Sequence, residues 1–165
     1  MTKPSQPSPR KPWKKRLVFR LLGLYPPYFG AGVWVTRVAR DISAIEVRMK
    51  LRFWNRNYVG THFGGSLYSM VDPFYMLMMI ELLGPGYLVW DKAATIHFRR
   101  PGRGTVHARF EIPPEEVARV RELADNNDKV EPVYTVEVRD ADGELVAEVE
   151  KVLWVKKKRR NRAVT

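Results

Sequence analysis

The chain has 165 residues, of which 45% are apolar, no cysteine and a formal net charge of +11. This length suits one domain with a sizeable hydrophobic core, and the lack of cysteine excludes disulfides, thiolate metal sites and a cysteine nucleophile. Thirteen of the 29 Lys and Arg residues lie in residues 1–20 and 156–165, which leaves 16 bases against 18 acids in residues 21–155. A nearly neutral body disfavours a basic nucleic-acid groove within the fold.

The two ends differ in composition from the body. Residues 1–15 are rich in Pro, Ser and cations and predict a disordered tail, and residues 156–165 predict a second basic tail. Such tails are solvated, or bind nucleic acid or an anionic membrane. Residues 16–155 are assigned to a single domain. Because the N-terminal charges interleave with apolar residues, no signal-peptide core is recognised, and a cytoplasmic location is expected.

The first half of the chain predicts a helix, a strand pair and a long helix. Trp13, Leu17, Leu21 and Leu24 have helical spacing, and the helix is expected to end at Pro26-Pro27. Two alternating segments around an Arg-Asp turn, 33–39 and 44–51, predict antiparallel strands. A glycine-rich loop follows. Residues 66–83 then predict one apolar helix, ended by Gly84-Pro85-Gly86.

The second half predicts two hairpins around a surface helix. Strands at 93–100 and 105–112 are expected to pair through a Gly-Arg-Gly loop, which sets Phe98 opposite Ala108. Residues 113–125 predict an amphipathic helix, and residues 133–155 the last hairpin. A long apolar helix has to be buried, so the simplest architecture is α+β, with an antiparallel sheet wrapped around that helix.

The glycine-rich loop and the long helix carry a family resemblance. Gly64-Gly65, six further residues, Asp72 and then Phe74-Tyr75 resemble the helix signature of hotdog-fold thioesterases of the phenylacetyl-CoA type. A wider set of motifs over residues 16–155 resembles a neighbouring hotdog family whose function is uncharacterised. Those motifs are Tyr25-Pro26-Pro27, Phe53-Trp54-Asn55, Gly60 to Gly65, Asp72-Pro73-Phe74 and Trp90-Asp91-Lys92.

The resemblance implies hydrolysis of an acyl-CoA or related thioester, with Asp72 and Gly65 as the catalytic residues. Asp72 would activate water or attack the thioester carbon, and N–H groups at the helix N-terminus around Gly65 would bind the oxyanion. Seven residues of helix separate the two by about 10 Å, too far to act on one carbonyl. Two antiparallel helices related by a two-fold axis would bring them together. A homodimer or homotetramer is therefore expected, as in the hotdog family.

Residues near the glycine pair are candidates for substrate binding. They are Asn57, Thr61, His62, Gly64 and Ser66. The thioesterase pattern has a His directly before the glycine pair, whereas here Phe63 intervenes, so His62 either lines the site or caps the loop. Asn57 either binds substrate or stabilises a turn. Arg99, Arg100 and Arg103 either meet the phosphates of coenzyme A or belong to an exposed turn.

Other interpretations of the same residues stay open. Asp72 could be a structural acid, bonded by a loop, beside a proline that only bends the helix. The chain could be a non-catalytic acyl or lipid binder whose helical methionines line an adaptable pocket. Its basic tails could bind nucleic acid or an anionic membrane. No spacing of His and carboxylates typical of a metal site is present, and no dinucleotide or phosphate motif, so neither a metal nor a cofactor is expected.

Overall fold

The computed structural model describes residues 12–158. Five helices, one short 3-10 turn and six strands follow one another in these residues. They are α1 (Pro12–Leu21), the 3-10 turn (Leu22–Leu24), α2 (Pro26–Ala31), β1 (Val33–Val38), β2 (Ala44–Lys50), α3 (Gly64–Ser69), α4 (Phe74–Leu83), β3 (Tyr87–Phe98), β4 (Thr105–Glu111), α5 (Pro114–Asn126), β5 (Val133–Asp140) and β6 (Leu145–Lys157).

The six strands form one antiparallel sheet in the order β1-β2-β4-β5-β6-β3. Alternate residues of the strands face the helical segment 64–83, as in β4, where Val106, Ala108 and Phe110 are buried and their neighbours are not. The rings of Phe74 and Phe110 meet across this layer at 4.8 Å between centroids. The predicted α+β architecture, a sheet wrapped around a central helical segment, is confirmed.

The central helical segment is two helices rather than one. α3 ends at Ser69 and α4 begins at Phe74, whereas the sequence predicted one helix over 66–83. Pro73 has no N–H to donate to the carbonyl of Ser69, and its own carbonyl instead accepts the first bond of α4, from Leu77 N. Asp72 therefore lies in a break between helices and not on a helix face.

The predicted pairing of the two middle strands is wrong. β3 pairs with β6, which sets Phe98 opposite Ala147, while β4 lies between β2 and β5. Alternation of apolar residues determines which face of a strand is buried but not which other strand pairs with it. The β1–β2 and β5–β6 pairs and the surface helix α5 are present as predicted.

The N-terminal region folds as two helices joined by the 3-10 turn. Pro26 and Pro27 begin α2 and do not end α1, in keeping with the preference for proline in the first turn of a helix. The predicted tails lie mostly in residues 1–11 and 159–165, outside the described residues; α1 begins at Pro12 and β6 extends to Lys157. No helix within residues 12–158 combines the length and apolar character needed to cross a bilayer.

Candidate functional site

The Asp72 carboxylate is held by a buried lysine, Lys151, that is distant from it in the sequence. Asp72 Oδ1 lies 3.0 Å from Lys151 Nζ, and 42% of the Asp72 side chain remains exposed. One part of the carboxylate is thus fixed by a cation while the rest is open to solvent. Both the catalytic and the structural interpretation of Asp72 need such a partner, because a partly buried carboxylate without one would lower the stability of the fold.

Lys151 is fully buried on the inner face of β6. Its ammonium contacts three groups: Asp72, the hydroxyl of Tyr68 at 3.5 Å, and Oδ1 of Asp91 on β3 at 3.0 Å. The Asp91 contact has the distance of an ion pair but not the angle of a hydrogen bond. These four residues are called here the Lys151 cluster. Two carboxylates share one cation in it, so the cluster carries one negative charge when Lys151 and both acids are ionised and Tyr68 is neutral.

Burial and charge act in opposite directions within the cluster. Burial by itself lowers the pKa of Lys151, but hydrogen bonds and the negative charges of Asp72 and Asp91 outweigh it, so the pKa is raised. Burial raises the pKa of Asp91, an effect that Lys151 opposes. Burial, with the nearby charge of Asp72, also raises the pKa of Tyr28 on α2 to about 12. A neutral phenol therefore lies close to the acids.

A cleft of about 420 Å³ lies beside the start of α3. Four of the predicted substrate-binding residues, Asn57, Thr61, His62 and Gly64, line it. The other lining residues are Leu67, Phe98, Arg99, Arg100, Pro101 and Gly102. Asp72 is not among the described residues that line this cleft. Within one chain the structure thus brings the binding candidates together but leaves the predicted catalytic acid elsewhere.

The glycine pair allows two aromatic rings to approach the backbone closely. A Cβ atom on Gly64 would lie 3.0 Å from Cζ of Phe98, and one on Gly65 would lie 2.4 Å from Cε1 of Phe63. Gly65 is exposed, whereas Ser66 is buried and its N–H donates to the carbonyl of Phe63 at 2.9 Å. The pair therefore has a packing role beside any catalytic one.

The side chain of Asn57 is bonded within its own loop. Its Nδ2 donates to Thr61 Oγ1 at 2.9 Å and to the carbonyl of His62 at 3.3 Å. Its Oδ1 accepts from the N–H of Thr61 at 3.0 Å. Both amide hydrogens have partners in the loop, so in this state Asn57 stabilises the turn.

His62 is a buried histidine with only one bonded ring nitrogen. Its Nε2 lies 3.1 Å from the carbonyl of Gly104, and Nδ1 is buried with no hydrogen-bond partner among the described residues. Burial lowers the pKa of His62, and the bond to Gly104 opposes this only in part. The neutral ring, with its hydrogen on Nε2, is the form that the fold accommodates.

This environment predicts that acid destabilises the protein through His62. The folded-state pKa lies below the unfolded value, so the contribution of His62 is fully present above about pH 6.5 and is lost as pH falls through the folded-state pKa. Wild type should therefore lose thermal stability between neutral and mildly acidic pH more steeply than His62→Gln. Melting curves of both proteins over that range provide the measurement. Parallel pH profiles would contradict the assignment.

Two arginines place positive charge at the rim of the cleft. Arg99 is paired with Glu148 at 3.0 Å, and Arg100 with Glu144 at 3.1 Å and with Asp140. The two arginine side chains are 50% and 40% exposed, and an ion pair that solvent reaches to this extent adds little stability. Both guanidinium groups can therefore exchange a carboxylate for a phosphate at small cost.

Four residues around Asp72 were not identified from the sequence: Lys151, Asp91, Tyr68 and Tyr28. The signal for Lys151 is present, because Val149, Lys151, Leu153 and Val155 alternate along the buried face of β6. A lysine in such a series is either at a strand end or has buried partners. The identity of the partners depends on the β3–β6 pairing.

Comparisons with known proteins show the fold and the family. Three solved structures are similar to this chain at low identity. They are a "probable thioesterase" of unknown function from Pseudomonas aeruginosa (TM-score 0.78, 19% identity, 87% of this chain and 95% of that chain), a thioesterase from Haemophilus influenzae (0.63, 16%, 87% and 91%) and the PaaI protein of the E. coli phenylacetic acid degradation operon (0.61, 17%, 92% and 96%). The fold is thus that of thioesterase-like hotdog proteins.

No protein with a curated description matches the chain significantly. The model of one family, described as "Domain of unknown function (DUF4442)", matches residues 14–155. This range contains all five helices except the first residues of α1, and nearly the whole sheet. The chain therefore belongs to this domain-of-unknown-function family, within the hotdog fold.

Proposed function

We propose that this protein is a hydrolase of acyl-CoA or related thioesters, with Asp72 as its base or nucleophile. The observation that carries the proposal is the half-exposed Asp72 carboxylate, held by a fully buried lysine where the central helical segment breaks. A structural acid needs only its partner, whereas a reacting carboxylate also needs an open side and a fixed orientation. The likeness of the fold to thioesterase-like proteins supports the same chemistry.

The cleft and Asp72 would act together across a dimer. β3 is an edge strand of 12 residues, and its exposed apolar side chains include Leu88, Trp90 and Phe98. A long apolar edge with free backbone groups tends to pair with another strand. Pairing of β3 with β3 of a second copy gives an isologous dimer, in which the cleft of one subunit would face Asp72 of the other.

In the proposed reaction, Asp72 accepts a proton from water as the water oxygen bonds to the thioester carbon. The carbonyl oxygen becomes an oxyanion, which N–H groups of Gly64 and Gly65 would stabilise. Collapse of this intermediate breaks the C–S bond, and the thiolate of coenzyme A leaves and takes up the proton. Arg99 and Arg100 would bind coenzyme A phosphates at the rim of the cleft.

The first test is thiol release from a panel of short, long and aromatic acyl-CoAs. Wild-type protein should release thiol from at least one class, and the preferred class identifies the acyl group. No release from any of them, together with binding of acyl-CoA in a calorimeter, would exclude hydrolysis and leave a binding protein.

One observation favours that second candidate, a non-catalytic acyl binder. A cavity of about 420 Å³ lies between α1 and α4, with Val18, Phe19, Leu22, Leu77 and Ile80 in its wall. Its two charged lining residues, Lys15 and Glu81, pair with each other at 2.6 Å. A mostly apolar cavity of this size suits an acyl chain, with or without hydrolysis.

The dimer makes a separate prediction. Trp90→Lys places a charge on the exposed face of the β3 edge, so we expect it to convert the dimer to monomer and to lower thioesterase activity in parallel. Analytical ultracentrifugation and thiol release are measured on the same samples. Lys92→Trp, on the same strand, is a control that adds no repulsion. A monomer that retains full activity would show that the site is complete in one chain.

A further inference from the structure

Six large side chains on two neighbouring segments are exposed, and five of them are aromatic. Tyr25 directly precedes α2, Phe29 lies on it, and the other four come from the loop between β2 and α3. They are called here the aromatic face: Tyr25, Phe29, Phe53, Trp54, Tyr58 and Val59. Large apolar side chains are normally exposed singly, whereas a group of them marks an interaction site. Neither the fold nor the proposed hydrolysis accounts for this group.

The tip of the loop is a closed turn that presents its apolar residues outward. Asn57 N donates to the carbonyl of Thr61 at 2.8 Å, and Gly60, with φ of +83°, returns its N–H to the carbonyl of Asn57 at 3.1 Å. Between them Tyr58 is fully exposed and Val59 is 73% exposed. These hydrogen bonds fix the backbone of the turn. Tyr58 and Val59 are therefore held at the surface by the conformation of the turn.

The loop is attached directly to α2. The side chain of Asn55 is buried and donates to the carbonyls of Ala31, at 2.9 Å, and Lys50, at 3.0 Å. Phe53 and Trp54, just before it, contact each other edge to face at 4.9 Å between ring centroids. These contacts hold the loop against the C-terminal end of α2, so its aromatic residues adjoin the helix that carries Phe29.

The segments that carry the aromatic face hold cations and no acids. No acid occurs between Glu46 and Asp72, or anywhere in residues 1–40, whereas Arg52 and Arg56 lie within the loop. The guanidinium of Arg52 lies 5.8 Å from the centre of the Trp54 ring. Contact of this face with the same face of a second copy would oppose like charges. A partner with a negatively charged surface and an apolar interior would complement both the arginines and the aromatic side chains.

We propose that the aromatic face docks on the surface of a bilayer that contains anionic lipids. Tyr and Trp side chains favour the interface between headgroups and acyl chains, because one end of each is apolar and the other polar. The two arginines would contact lipid phosphates, each contributing through the negative surface potential. The protein lies on the membrane in this arrangement and does not span it.

Vesicle co-sedimentation of the full chain tests this docking. Vesicles are made of phosphatidylcholine alone, or of equal parts phosphatidylcholine and phosphatidylserine. Wild type should bind the vesicles with phosphatidylserine more tightly than those of phosphatidylcholine alone, and added salt should release the protein from them. Phe53→Ser with Tyr58→Ser, and separately Arg52→Gln with Arg56→Gln, should each weaken that binding by roughly tenfold or more.

The control variant combines Val133→Ser with Arg40→Gln, which removes one exposed apolar side chain and one cation outside the aromatic face. It should bind vesicles as wild type does. Binding that all variants retain would assign membrane contact to the basic ends and overturn the proposal. It would also be overturned if either face variant changed the oligomeric state, since the face would then join copies of the chain. Failure of the wild-type protein to bind either kind of vesicle would equally exclude it.

Discussion

Asp72→Asn is expected to lower kcat for thioester hydrolysis by about 10²–10⁴-fold, the usual contribution of a positioned acid or base. The amide keeps an oxygen that can accept the bond from Lys151, so the fold and the dimer should persist. It has no charge with which to take a proton from water or to attack the thioester carbon. Steady-state thiol release, with circular dichroism on the same preparations, gives the measurement.

Glu81→Gln is the matched control for that experiment. Glu81 is the acid of α4, partly exposed and paired with Lys15 at 2.6 Å, and it is not a member of the Lys151 cluster. The same chemical change there should leave kcat within about twofold, because Glu81 contacts neither Asp72 nor Lys151 and its amide can still accept a hydrogen bond from Lys15. If Asp72→Asn and Glu81→Gln behaved alike, Asp72 would be a structural acid and the proposed mechanism would be wrong.

Lys151→Met is expected to destabilise the fold and to lower hydrolysis. Methionine fills the space of the stem but leaves Asp72 and Asp91 without their cation. Removal of one partner from a buried ion pair typically costs about 3–5 kcal/mol. We expect the low end, because the Asp72 side chain is 42% exposed and water screens its charge. Urea unfolding gives the free energy of unfolding for wild type and variant.

A double variant separates stability from positioning. Lys151→Met with Asp91→Asn removes the less exposed of the two uncompensated acids, so most of the lost stability should return. Hydrolysis should not return, since nothing then orients Asp72; kcat should stay low with KM near the wild-type value. Recovery of stability and kcat together would reduce Lys151 to a structural role. Lost stability that fails to return would contradict the proposed pairing of Lys151 with Asp91.

Much of the fold could be predicted from local patterns. The alternation in 33–39, 44–51 and 133–155, with the short connections between the strands, predicted these pairs correctly. A short connection favours pairing but does not determine it, since β3 and β4 are also joined by one and do not pair. The glycine pair, Asp72 and the motifs around them indicated the hotdog fold and the right family. These features depend on residues close together in the sequence, or on a resemblance that covers most of the domain.

What could not be predicted depends on contacts between distant residues. β3 and β6 are about fifty residues apart at Phe98 and Ala147, and nothing in either segment specifies the other. Lys151 was overlooked for the same reason, since its role exists only when Asp72 and Asp91 are brought to it. A proline predicts a bend in the helix, but it does not determine that residues 70–73 leave the helix, as they do between α3 and α4.

The lysine on the inner face of β6 also limits how that strand can align. β6 has 13 residues and pairs on both sides, and its regular alternation would tolerate a slip by two residues at little cost in apolar burial. Such a slip moves the ammonium group by about 7 Å, away from both carboxylates and into the core. A slip by one residue turns the buried Val149, Leu153 and Val155 outward. The cation thus permits a single alignment of the longest strand, and with it a single position of the β3 edge through which we propose that the dimer forms.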